Sequence, residues 1–221
     1  MPRSVKERKA KPLIYVFCEG ESEQVYTHFL KRTFSDLAVV KCPSSTGLFE
    51  EAQDKFSKDK RFRDYAEVTN EIWFFFDVET DQRDKWDSRY KIIKKLRKLR
   101  KDQDIRVRLL MTTACIEYWL MLHYKKYSPV IKTTADKERI LHELQAKEKS
   151  YKKGDEKSTF HIAENYQTAV KNAKEIFRSL LKDGLPDLIE TDERNKWLYT
   201  CSKTFSTVFE AIEFLESLRA K

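Results

Sequence analysis

Three acidic residues, Glu19, Asp77 and Glu79, each stand just past a short apolar run, where carboxylates from separate strands can meet around one cation. Magnesium wants hard oxygen ligands and takes only one or two protein carboxylates, leaving water and substrate phosphate to complete its octahedron; manganese accepts the same donors. Asp77 and Glu79 are two residues apart, so on extended backbone both side chains point the same way. Glu19 would reach the same ion from a neighbouring strand end. The same residues admit a plainer explanation. Glu19, Glu21 and Glu23 suit the positive end of a helix dipole, and the stretch from Asp77 to Asp81 also reads as a solvated turn.

The elements that must hold these residues are legible from hydrophobic spacing. Leu13 to Phe17 predicts a buried strand cut off by Glu19-Gly20, followed by a helix over 22–34 with Val25, Tyr26, Phe29, Leu30 and Phe34 on one face. A short strand over 38–41 and a helix over 48–62 complete the next unit. Ile72 to Phe76 is a continuous apolar run, as expected of a strand buried on both faces in a parallel sheet. A helix over 84–101 sets Trp86, Tyr90, Ile93, Leu96 and Leu99 against a basic face, and a strand over 105–111 follows. Strands alternating with helices imply right-handed crossovers and an α/β, mostly parallel sheet whose ligands bind at the carboxyl ends of the strands. Both acidic turns fall there. Beyond Ile116 the pattern turns helical, with an exposed loop expected over 147–157 and helices over 162–181 and 205–218. The expected organisation is a basic, disordered arm over 1–12, an α/β core over 13–125, and a helical C-terminal extension over 126–221 packed on that core.

Composition narrows the function classes. The chain has 221 residues, 40% of them hydrophobic and 36% charged, enough for one core. Neither a signal peptide nor a membrane span is present in its hydropathy, which points to a cytoplasmic protein without membrane partners. Cys18, Cys42, Cys115 and Cys201 are far apart with no CxxC pairing, so they read as buried thiols rather than as a zinc site. A net charge of +8 favours a polyanionic partner, DNA or RNA. Lys94, Lys95 and Lys98 on the basic helix are candidate nucleic-acid contacts, or simply a solvated face. With four glycines and no P-loop, Rossmann fingerprint, HExxH or GxSxG motif, the chain offers no cradle for ATP and no serine-hydrolase site. The oligomeric state is not set by any of these features.

The segments LIYVFCEGESEQVYTHFL, IWFFFDVETD, ACIEYWLMLHY and NYQTAVKNAKEIF together resemble the RloB-type family of Toprim-related proteins over most of the chain. The resemblance implies a Toprim-like fold with a glutamate after the first strand and an Asp-x-Asp after a later one. These map onto Glu19 and onto Asp77 with Glu79, which stands where the pattern has its second aspartate. Its extra methylene leaves Asp81 as an alternative outer ligand. The likeness also implies phosphodiester cleavage of DNA or RNA supported by Mg2+ or Mn2+, a role as an effector in antiphage defence, and an ATPase companion. Glu19 would then act as general base or second ligand. Glu117 matches a family position and is a further candidate catalytic residue. His123 matches another, although a histidine on an apolar face reads as a hydrogen-bonded core residue. Tyr151-Lys152-Lys153 resembles a family Tyr-x-Lys element whose Lys152 and Lys153 would grip phosphate. The rival reading keeps the Toprim-like shape and basic surface without catalysis, as a nucleic-acid-binding or ATPase-partner subunit.

Overall fold

The computed structural model describes residues 10–220, so residues 1–9 of the expected basic arm lie outside the described residues. Four strands form one all-parallel sheet in the order β2-β1-β3-β4: β1 (Leu13–Cys18), β2 (Val39–Lys41), β3 (Thr69–Val78) and β4 (Arg106–Thr113). The continuous apolar run predicted a central strand, and β3 is central, with Ile72 to Phe76 fully buried between helices on both faces. It pairs with β1 through Phe74 opposite Phe17 and with β4 through Asp77 opposite Thr112.

Chain direction explains the layering. α1 (Glu21–Thr33) carries the chain from β1 outward to β2, whereas α2 (Phe49–Lys58) and α3 (Lys60–Ala66) carry it back past β1 to β3. Right-handed crossovers in opposite directions must use opposite faces. α4 (Trp86–Arg97), which continues the same sense from β3 to β4, accordingly packs beside α2. α5 (Ile116–Met121), α7 (Glu156–Ala163) and α8 (Tyr166–Ser179) gather with α1 on the other face. The reversal of direction leaves a crevice between the carboxyl ends of β1 and β3, the place where open parallel sheets bind ligands.

The C-terminal half departs from the sequence reading in three places. α6 (Thr134–Lys147) occupies a stretch whose apolar spacing is too weak to announce a helix. The reciprocal cap between Thr133 and Asp136 starts it instead. Residues 148–155 do form a loop, but Tyr151 within it is buried. α9 (Asp192–Thr200) precedes the expected last helix, α10 (Val208–Ser217). Between these two, the chain runs antiparallel along the open edge of β4. Thr113 N–H donates to Phe205 O at 3.0 Å, and Thr207 N–H donates to Met111 O at 2.8 Å. This covers backbone groups that an edge strand would otherwise expose. His123 is a core residue, its imidazole between Tyr26 Oη (3.2 Å) and Trp119 O (3.1 Å), and burial lowers its pKa to about 4.

Candidate functional site

Glu19 follows β1 directly, and its Oε2 accepts the backbone N–H of Asp77 at 2.8 Å, while its own N–H donates to Phe75 O at 3.0 Å. The two strand ends are thus tied together by the first of the acidic residues. Gly20 caps α1 without a side chain. A Cβ there would lie 3.0 Å from Glu23 Oε2, so glycine makes room for the Glu23 carboxylate to fold back into the crevice. Glu23 is buried, and its pKa is raised to about 7, chiefly by desolvation, with Glu19 and Glu117 adding like charge.

Asp77 is the centre of the arrangement. Its Oδ1 is buried and has no hydrogen-bond partner among the described residues. Desolvation holds its carboxyl pKa well above the ordinary value, and Glu23, Glu19 and Glu117 push in the same direction. A strand-end aspartate reads from sequence as solvated; here the residue is half-buried at the cavity wall between α1 and α5, with Oδ1 shut off from solvent. Glu117 reaches it from the first turn of α5. The turn into α5 passes through Ala114 at φ 67°, a left-handed conformation that a residue with a Cβ adopts only under strain. Glu117 Oε1 accepts from Tyr151 Oη at 3.1 Å and faces Lys153 Nζ at 3.4 Å, so the buried loop tyrosine positions this carboxylate.

These groups line a cavity of about 210 Å3, with Glu79, Lys137 and Lys153 at its wall. Of the residues singled out from sequence, Asp77, Glu79, Glu117 and Lys153 line it, and Glu19 braces it from behind. Glu79 is paired with Lys137 of α6. The side chain of Asp81 lies outside the described residues. Lys152 is exposed and absent from the lining. Lys94, Lys95 and Lys98 fall on and just after the last turn of α4, near the start of β4, at the opposite end of the sheet.

Two residues of the cavity escaped the sequence reading. Glu23 served there only as a helix-opening acid, yet it shares α1's buried face with Tyr26, Thr27 and Leu30. An acid at that spacing on an apolar face is the signal that could have found it. Lys137 was missed with its helix, whose Thr133-x-x-Asp136 capping box is readable in the sequence.

A family model described as RloB-like protein matches residues 14–215. The chain belongs to the RloB-like family. Neither a curated protein nor a solved structure matches it. For this RloB-like chain the four-stranded parallel sheet flanked by helices is consistent with a Toprim-like fold, and among the described residues no helix is long and apolar enough to cross a membrane.

Whether the site suits a divalent cation is decided by its donor set. Among the described residues no three His, Cys, Asp or Glu side chains already form a metal-holding group. Mg2+ does not require one, since one or two carboxylates suffice. A buried carboxylate oxygen without a partner, surrounded by further carboxylates that raise its proton affinity, has the unsatisfied negative charge that a hard cation relieves. The residues fit.

The ion pair of Glu79 sets one expectation. Glu79→Asp shortens the reach to Lys137 by one methylene but keeps the charge, and it restores Asp-x-Asp. If the cavity carries out the metal-dependent cleavage proposed below, its rate should stay within about tenfold of wild type, since the lost contact is a partly exposed ion pair of modest worth. A loss as complete as that from removing the Asp77 charge would show that the length of Glu79 is essential.

Proposed function

We propose that this RloB-like chain is a divalent-metal-dependent phosphodiesterase acting on DNA or RNA, and that it serves as an effector in antiphage defence with an ATPase as companion. The observation that carries the catalytic reading is Asp77, half-buried at the cavity wall with its Oδ1 buried and unpartnered, in a crevice shared with Glu19, Glu23 and Glu117. Asp77 and Glu23 would hold Mg2+ or Mn2+, which when bound supplies stabilisation of charge developing on the scissile phosphate.

The protein's own residues account for the rest. Glu19, committed to the Asp77 amide, fixes the distance between the two strand ends. Glu23, whose pKa is raised to about 7 in the metal-free fold, would give up its proton to the cation it helps to hold. Lys137 and Lys153 stand at the wall where phosphate oxygens would arrive, and Tyr151 keeps Glu117 facing inward.

One observation favours the non-catalytic alternative, because the residue at the second Asp-x-Asp position is occupied by Lys137. Purified protein incubated with single- and double-stranded DNA and RNA, with Mg2+, with Mn2+ and with chelator, separates the two. Metal-dependent fragments are expected. Binding without cleavage under every metal condition would favour the binding subunit.

A further inference from the structure

A second cavity, of about 470 Å3, opens beside the acidic one and shares Glu79, Ala114 and Lys137 with it. Its charge is of the opposite sense. Arg83, Lys132, Lys137 and Lys203 line it, against the single lining carboxylate of Glu79, which pairs with Lys137, while Lys203 is also paired with Asp183 outside the lining. These cations come from four parts of the chain: the turn after β3, the residue before the cap of α6, α6 itself, and the segment that crosses the edge of β4. Arg83 donates from Nη2 to Cys201 O at 2.9 Å, while its buried Nε–H has no acceptor among the described residues. That N–H is shut off from solvent, so Arg83 stands at the cavity wall with its guanidinium short of partners and its full positive charge uncompensated by any carboxylate among the described residues. The strained Ala114 stands at the junction of the two cavities.

We propose that this basic cavity binds the backbone phosphate and sugar of a single-stranded polynucleotide, one nucleotide beyond the bond positioned in the acidic cavity. The proposal rests on reading the acidic cavity as the cleavage site. The volume falls within the range of small-ligand pockets and has room for one nucleotide, not for two paired strands. Among the described residues no aromatic side chain lines it, so stacking on bases is not provided and recognition runs through phosphate charge. Binding is therefore tolerant of base sequence and sensitive to salt. Glu79 and Lys137 form the partition between the cavities, so a strand lying across both passes over their ion pair.

The test uses the full chain in chelator, where no cleavage occurs, with a fluorescein-labelled 12-nucleotide single strand as probe. Lys132→Glu with Lys203→Glu should weaken binding at least about tenfold and reduce the slope of log affinity against log salt by about 0.7, the share of the one phosphate the cavity holds. Unfolding temperatures establish that each variant is folded; if the double reversal is not, Lys132→Gln alone should weaken binding about threefold. Unchanged affinity and slope in the folded double variant would overturn the proposal. Equal affinity for the 12-base-pair duplex, lost equally in the variant, would overturn its single-strand part, and so would full displacement by an equimolar mononucleotide. The outcomes separate the two readings. Strand binding lost in the double variant, with no cleavage by wild type in metal, sinks the nuclease and keeps the groove. Cleavage with unchanged binding does the reverse.

Discussion

Asp77→Asn should abolish metal-dependent cleavage, by about a thousandfold or more, while making the metal-free protein harder to unfold. Asparagine keeps the shape of aspartate and removes the formal charge that would hold the cation. Loss of one well-placed electrostatic group at a reacting phosphate commonly costs two to three orders of magnitude. The stability effect has the opposite sign because Oδ1 of the native carboxyl is buried without a partner and the carboxyl is opposed by Glu23, Glu19 and Glu117. Relieving that conflict stabilises the fold, as substitutions at strained functional sites often do. A gain of about 1 kcal/mol corresponds to roughly 2 to 4 °C in a chain of this size. Thermal unfolding in chelator and a cleavage assay on one preparation read both effects. Full metal-dependent activity with an unchanged circular dichroism spectrum would place the chemistry elsewhere.

That conflict also shows what the sequence could and could not convey. The sheet was legible because β1 and the middle of β3, Ile72 to Phe76, are continuous apolar runs and β4 carries Val107 and Leu109 to Met111, and the parallel direction followed from the helices between them. Glu19, Asp77 and Glu79 were legible because they end those runs. The setting of Asp77 Oδ1 was not, since it depends on α5 turning back through Ala114 to bring Glu117 to the crevice and on Tyr151 holding Glu117 there, both long-range matters of packing. α6 and α9 were hidden for a different reason. Each is set by a side-chain cap, at Thr133 and Thr191, and each buries few apolar residues, so hydrophobic periodicity carries little of their signal. The basic cavity needed all of this at once, because its four cations come from parts of the chain up to 120 residues apart, 83 to 203.

Glu23 gives the second large effect, a stability that falls with pH in the metal-free protein and is restored by metal. Its pKa is about 7 in the fold and 4.5 ordinarily, so between these values the folded chain retains a proton that the unfolded chain has released. The unfolded state binds fewer protons there, and stability must decline as pH rises from about 4.5 to about 7, then level off. The full effect is of the order of 3 kcal/mol, or roughly 5 to 10 °C. His123 works the other way, because its lowered pKa makes stability rise with pH between about 4 and 6.5. Asp77 and Glu210, whose pKa values are also raised, pull in the same direction as Glu23, so the raw curve is a sum, and the difference between wild type and Glu23→Gln reads the glutamate's share. The groups facing Glu23 are Glu19, Asp77 and Glu117, with Lys137 and Lys153 at the cavity wall. Millimolar Mg2+ competes with protons for these carboxylates, so the rise in unfolding temperature that it produces should grow from pH 5 to pH 8. Asp77→Asn should remove most of that rise. A wild-type curve in chelator that parallels Glu23→Gln across the whole range would mean that Glu23 is ionised at no cost, and an Mg2+ effect that is independent of pH would mean that the cation binds away from these carboxylates.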